Sequence, residues 1–322
     1  MSKTRVGVLR GGVGSEYEVS LKTGGNVLKH IPRDTYKVLD LLITKNGEWH
    51  IDGFPVTPEK LSRNVDVVFN ALHGEFGEDG KVQNMLERSS ISYTGAAPFA
   101  SAMAMNKFFA KKLFLAKGLK TPYSMVVRSD DSIADVALKI FKTVPAPYIV
   151  KPLAGGSSIG VSLVRDFSGL IAAIEHASAY YPSVLVEEYI EGREVTCGVI
   201  ESSDGKGPYA IHPLEIIISE RADFFDYRNK YNGETQEICP ANLLRETTET
   251  IRALAVSAHK ALGLRHYSRA DFILSKRGVF LLEVNSLPGL TEESLFPKAF
   301  SAGGLPFSDF LDRMLALALV GE

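Results

Sequence analysis

Cysteine is scarce in this chain. Only Cys197 and Cys239 occur among its 322 residues, far apart and without a CxxC spacing. That excludes a disulfide framework and gives no paired ligands for a zinc site, so a reduced, cytoplasmic setting is the expectation. Surplus charge of either sign is lacking too. Lys and Arg number 36 against 38 Asp and Glu, a net charge of -2, whereas a nucleic-acid or anionic-membrane binder is normally basic. No apolar run approaches the ~18 residues a membrane helix needs. After Met1 to Arg5, the run Val6-Gly7-Val8-Leu9 is too short for a signal core. Neither nucleic acid nor membrane is expected as a partner, and internal repeats and low-complexity tracts are absent from the sequence.

What is present reads as three regions. Residues 5 to about 96 alternate strands (Arg5 to Leu9, Lys37 to Ile43, Val65 to Asn70, Ile91 to Thr94) with helices (Val19 to His30, Val82 to Arg88), which predicts a small parallel α/β domain. Ligands of such sheets bind beyond the carboxyl ends of the strands, where two glycine-bearing loops fall: Gly11 to Glu16 and Ala71 to Gly80. The turn at Thr94 to Pro98 leads to a helix over Ala100 to Lys117, stopped by Gly118 and Pro122. From Met125 the order strand, helix, strand, glycine-rich loop, strand predicts an antiparallel α+β domain. A third region opens with the strand Val184 to Tyr189. It holds a long polar and aromatic loop from Ser219 to Asn242, a helix from Thr247 to Leu262, and a last helix from Phe307 to Leu319. Loops as long as Ser219 to Asn242 are usually functional or mobile.

The most informative stretch is Arg269 to Leu274 followed by Phe280 to Asn285, two apolar strands that carry acids and an amide where a plain core would place hydrocarbon. Alternation puts Arg269 and Asp271 on one face, and Glu283 and Asn285 on one face of the next strand. A three-residue loop at Lys276-Arg277-Gly278, with Gly278 at positive φ, would set Asp271 opposite Glu283 and Arg269 opposite Asn285. Adjacent carboxylates raise each other's pKa or need a cation, and a hard divalent ion takes oxygen ligands while leaving positions for phosphate. The pattern predicts a Mg-nucleotide site at Asp271, Glu283 and Asn285. The alternative is a buried ion pair of Arg269 with Asp271 or Glu283.

Other motifs point the same way, each with a plainer alternative. Gly155 to Gly160 lies between strands with Lys151 ending the first of them, which suits backbone N–H groups and a lysine approaching phosphate oxygens. It is not a P-loop, because the lysine precedes the glycines, and a flexible hairpin tip is the alternative. Lys107 is a second candidate phosphate lysine, or a solvated surface charge. Leu185 to Ile190, with Glu194 beyond the turn, can offer an adenine slot one acceptor, backbone groups and an acid for the ribose, or can simply be a strand end with solvated carboxylates. Gly12-Val13-Gly14 lacks the third glycine of a dinucleotide fingerprint. His73 follows a strand in a loop, which favours ligand contact over core packing.

Taken in order, these residues resemble the D-alanine:D-alanine ligases of the ATP-grasp superfamily over essentially the whole chain. The marks are Gly11-Gly12 with Glu16 and Val19-Ser20; Ala71-Leu72-His73-Gly74 with Gly77-Glu78-Asp79-Gly80; Tyr93-Thr94-Gly95; Lys151-Pro152 with Gly156 to Gly160; Lys230-Tyr231; Arg269-Ala270-Asp271; and Leu282 to Asn285 with Pro288-Gly289.

The resemblance implies an ATP-grasp fold behind an N-terminal Rossmann-like domain, divided as 1–97, 98–182 and 183–322. It implies ATP-dependent ligation of two D-alanines through an acyl phosphate, for peptidoglycan precursor synthesis; another ATP-grasp carboxylate-amine ligase is the alternative. It assigns Lys107, Lys151, Ser157, Ser158 and Lys230 to the ATP phosphates and their lid. Glu187, backbone groups of Glu188 and Ile190, and Glu194 hold the nucleoside, and Asp271, Glu283 and Asn285 hold two Mg2+ or Mn2+, with Glu283 bridging. It places Arg269 and the Gly289 N–H on the oxyanion, Glu16 and His73 at the first substrate, and Ser294 and Leu295 at the second. Ser157, Glu16 and Tyr231 form a triad tying the lid, Phe224 to Tyr231, to the first domain, and Tyr231 points to the dipeptide rather than an ester. A cytoplasmic homodimer is implied as well. Departures are Arg10, where an apolar residue is common, Asn106, where an aspartate often stands, and the stiff Ala97-Pro98 hinge.

Overall fold

The computed structural model describes residues 3–156, 159–217 and 236–320. The first sheet is built from β1 (Thr4–Gly11), β2 (Tyr36–Ile43), β3 (Trp49–Ile51), β4 (Phe54–Val56), β5 (Val67–Asn70) and β6 (Ser92–Tyr93), in the order β4-β3-β2-β1-β5-β6. β1 is central and parallel to β2 and β5, and β6 is parallel to β5. Val6 to Leu9 are all buried, as a strand covered on both faces requires. α1 (Tyr17–His30) and α2 (Lys81–Arg88) supply the crossovers. Chain order reverses at β1, so the loops after β1 and β5 flank one crevice. The hairpin β3–β4, joined to β2 by the antiparallel strand β3, extends beyond the strands read from the sequence; at three residues each, these strands are too short for an alternation signal.

The predicted helix from Ala100 to Lys117 is two helices, α3 (Pro98–Met105) and α4 (Lys107–Ala116). Asn106 breaks it with an extended backbone (φ -87°, ψ 100°) and caps α4, its side chain accepting the Phe109 N–H at 3.2 Å.

The second sheet contains β7 (Ser124–Arg128), β8 (Tyr148–Pro152), β9 (Ser162–Val164) and β10 (Ser183–Glu188) in the antiparallel order β7-β10-β8-β9. α5 (Ile133–Thr143) and α6 (Ser168–Ser178) cover it through Val127, Ile140, Val150, Leu170 and Val186. The strand near 184–189, read from the sequence as opening the third region, is therefore paired inside the second sheet. Strand periodicity reports which face is buried and not which neighbour is bonded.

The third sheet runs β14-β13-β11-β15-β16, with β12 pairing β11. Its strands are β11 (Arg193–Glu201), β12 (Pro208–Ala210), β13 (Leu214–Ile217), β14 (Gln236–Ile238), β15 (Tyr267–Ser275) and β16 (Gly278–Asn285). α7 (Arg245–Ala261) covers it, and α8 (Leu295–Ala302) and α9 (Phe307–Val320) follow. α9 turns back: Phe310, Leu311, Met314 and Leu315 share one core with Val6, Val8 and Phe69 of the first sheet.

Candidate active site

The hairpin β15–β16 delivers the expected register, with Asp271 opposite Glu283 and Arg269 opposite Asn285. The route differs from the expected three-residue loop. Ser275 pairs with Gly278 (φ 110°), so the turn is Lys276-Arg277, and a bulge between Asp271 and Phe272 leaves Leu282 without an opposite residue. One residue fewer in the loop and one more in the strand restore the face on which the acids lie.

On that face Asp271 is surrounded. Arg269 grips it with two parallel hydrogen bonds, Nε at 2.8 Å and a terminal nitrogen at 2.9 Å. Asn285 Nδ2 donates at 3.0 Å and Thr196 Oγ1 at 2.6 Å. The ion pair weighed as the alternative to a metal is thus present alongside the oxygen cluster. Thr196 escaped the sequence reading, although it sits two residues from Glu194 on the same face of β11. Asp271 is 15% exposed and Glu283 35%, so Glu283 is the acid that opens on the cleft. Among the described residues no three His, Cys, Asp or Glu side chains group as metal ligands; the set here is two carboxylates and an amide. Such oxygen donors, with lysines facing them for phosphate, fit a hard divalent ion bound together with a nucleotide.

A cleft lies between the second and third sheets, with Lys107, Lys151, Glu187 and Ile190 on one side and Asp271 and Glu283 on the other. Ile149, Val161, Ile216, Ile273 and Leu282 make its middle apolar, the character of a base-binding slot. Lys107 Nζ donates to the Gly155 carbonyl at 2.8 Å and lies 3.6 Å from Glu283 Oε2. Lys151 Nζ is 2.7 Å from Glu187 Oε2. Burial pulls the Lys151 ammonium down, but Glu187 and Glu283 more than reverse this and hold it above its ordinary value. Burial likewise pushes Glu187 up, and Lys151 and Lys111 overcome that and keep it below the usual carboxylate range.

The Glu188 carboxylate is engaged by Tyr123 and Arg277. It accepts the Tyr123 N–H at 3.0 Å and pairs with Arg277 at 2.7 Å, and the Glu188 N–H donates to the Tyr123 carbonyl. Glu194 and Leu295 also line the cleft. Ser157, Ser158, Lys230 and Tyr231, and the lid from Phe224 to Tyr231, lie outside the described residues.

At the inner end of the cleft the first domain meets the glycine loop. A Cβ at Gly74 would lie 2.4 Å from Glu16 Oε2 and one at Gly156 3.0 Å from it, so the Glu16 carboxylate rests against both backbones. His73 is buried, its Nε2 2.8 Å from Thr23 Oγ1, and burial lowers its pKa. Glu78, which the sequence reading quoted without a role, accepts the Gly74 N–H at 2.8 Å and the Leu287 N–H at 3.1 Å. Burial, aided by the Glu16 charge, pushes it up to about 8. Ser294 Oγ packs on Gly289, where a Cβ would lie 2.9 Å away, and accepts the Thr291 N–H at 3.1 Å.

Two antiparallel sheets facing each other across a slot lined by lysines on one side and acids on the other define an ATP-grasp enzyme. Residues 5–56 and 52–96 match the family described as D-ala D-ala ligase N-terminus, and residues 113–316 the family described as D-ala D-ala ligase C-terminus. A D-alanine–D-alanine ligase of Geobacter sulfurreducens is 38% identical over 99% of this chain and 95% of its own. One from Syntrophobacter fumaroxidans is 38% identical over 98% of each. Among solved structures, the VanG D-Ala:D-Ser ligase of Enterococcus faecalis has a TM-score of 0.86 at 31% identity, covering 98% of this chain and 100% of that one. The D-alanyl-alanine synthetase A of Vibrio cholerae has a TM-score of 0.86 at 29% identity over the full length of both. The chain belongs to the D-alanine–D-alanine ligase family.

Proposed function

We propose that this enzyme joins two D-alanine molecules into D-alanyl-D-alanine, converting ATP to ADP and phosphate, as a step of peptidoglycan precursor synthesis. Family membership carries the reading. The arrangement of Lys107, Lys151, Arg269, Asp271, Glu283 and Asn285 around one cleft supports it chemically.

In this reading Glu187, Glu188, Ile190 and Glu194 hold the nucleoside, and Lys107 and Lys151 turn from their carboxylate partners to the phosphates, with Ser157, Ser158 and Lys230 closing over them. Asp271, Glu283 and Asn285 would hold two Mg2+ or Mn2+, which when bound would supply positive charge for phosphoryl transfer.

The first D-alanine is bound by Glu16 through its ammonium, near His73, and its carboxylate attacks the γ-phosphate of ATP to give an acyl phosphate and ADP. The second D-alanine, its carboxylate held by the Ser294 hydroxyl and the Leu295 N–H at the start of α8, attacks the acyl carbon through its amine, and phosphate leaves. Arg269 and the Gly289 N–H stabilise the oxyanion of that tetrahedral intermediate. The contact of Glu16 with Gly156 supports a Ser157–Glu16–Tyr231 triad that keeps water from the acyl phosphate.

The reading extends to a cytoplasmic homodimer organised as an N-terminal Rossmann-like domain and two ATP-grasp subdomains. The location and the dimer both follow from the family resemblance. The test is a panel of D-alanine, D-serine and D-lactate with ATP and Mg2+, reading phosphate and product together. The expected outcome is one phosphate per D-alanyl-D-alanine. Phosphate release that does not depend on D-alanine would overturn the assignment.

A further inference from the structure

We infer that Lys111 is a positioning residue for nucleotide choice: it holds the Glu187 carboxylate ionised and aimed at the exocyclic amine of adenine. The inference rests on the reading of the cleft as an ATP site.

Lys111 lies on α4 one turn after Lys107, so both side chains leave the helix on one face. Unlike Lys107, Lys111 does not line the cleft. It sits behind Glu187, with side chains only 4% and 3% exposed and Nζ 2.7 Å from Oε1. Its remaining donors go to Thr121 Oγ1 and, at 3.0 Å, to the Pro122 carbonyl. Two hydrogen bonds and the Glu187 ion pair hold the ammonium on the far side of Glu187, away from the cleft, so Lys111 is not placed to reach a phosphate. Burial lowers its pKa, and the Glu187 carboxylate beside it works in the opposite direction.

Lys151, on the opposite oxygen of Glu187, does line the cleft. A triphosphate in the cleft competes with Glu187 for the donors of Lys151. When Lys151 turns to the phosphates, Lys111 is the counter-charge left to Glu187. A carboxylate has only acceptor oxygens, which suit the 6-amino group of adenine and repel the 6-oxo group of hypoxanthine. Without Lys111, a buried Glu187 takes up a proton, gains a donor and loses that distinction.

The test compares dissociation constants for ATP and ITP, with Mg2+, in the wild type, Lys111→Met and Lys111→Arg by calorimetry. The preference for ATP over ITP is expected to fall by about tenfold or more in Lys111→Met and to be largely kept in Lys111→Arg, which retains the charge. If both nucleotides weaken in parallel in Lys111→Met, the lysine merely braces α4 and the inference fails. In a Glu187→Gln background, which carries no carboxylate to hold, adding Lys111→Met should move the preference by less than about twofold. A larger shift there would overturn the inference even if Lys111→Met alone does not fold. A wild type that binds no ATP would instead bring down the reading of the cleft, and the inference with it.

Discussion

At the scale of single residues, the site is a set of charges that hold one another in readiness. Lys107 faces Glu283, Lys151 faces Glu187 and Arg269 faces Asp271, so among the described residues each cation expected to meet phosphate or an oxyanion already has a carboxylate partner. Glu283 is the most open of these acids, and replacing it removes charge without emptying a core. Glu283→Gln is expected to lower turnover by ~100-fold or more while leaving urea stability within about 0.5 kcal/mol of the wild type. Wild-type turnover in that variant would refute the metal assignment.

Two histidines outside the site carry a different prediction. His266 accepts the Gly95 N–H on Nδ1, and burial pushes it down to about 3; burial also pushes His259 down to about 4. Unfolded histidine titrates near 6.5, so below that pH the unfolded chain takes up protons that the folded chain refuses. Stability from these two groups is present above pH 6.5 and lost as pH falls toward 4. Melting temperature should decline over that range, and His266→Asn, which tolerates the positive φ of 67° there, should show a shallower decline.

At the scale of elements, α4 and the β15–β16 hairpin do most of the positioning. α4 sends Lys107 into the slot and Lys111 behind Glu187, and its start is fixed by the Asn106 cap and by the Lys107 N–H bonded to the Leu153 carbonyl at 3.2 Å. Asn106→Ala is expected to cost about 1 kcal/mol of stability and to raise the KM for ATP more than it lowers kcat. Denaturant unfolding and steady-state kinetics on one preparation check both. The helix itself was legible from its apolar pattern. The break within it was not, because Asn106 interrupts no hydrophobic period and signals only through its side-chain bond. In the hairpin, alternation was enough to put Asp271 and Glu283 on one face, but the loop length and the bulge at Leu282 exchange one residue for another without a trace in the pattern.

At the scale of the whole molecule, the crevice of the first sheet and the cleft of the other two converge on Glu16 and Gly156. The distance between them is held partly by α9, whose Phe310 is fully buried and stacks on Phe300 with ring centroids 5.1 Å apart, within the core that also holds Val6 and Phe69 of the first sheet. Phe310→Ala is expected to destabilise the chain by about 3–5 kcal/mol, as cavities left by large aromatic residues do, and to lower kcat through looser packing of the first domain against the third. Unfolding measured by calorimetry checks the first effect, and turnover well below the melting temperature checks the second.

By itself the sequence determined the chemistry available and the faces that carry it: which strands are apolar, where acids and glycines interrupt them, and through those motifs the family. These are local properties, fixed by side-chain type and by the periods of strand and helix. Only the tertiary structure decided that β10 pairs within the second sheet, that Glu188 is drawn to Arg277, that Glu78 is buried with a raised pKa, and that Lys111 stands behind Glu187. Each depends on neighbours distant in the chain, and burial and pairing at such range leave no periodic mark on the residues that make them.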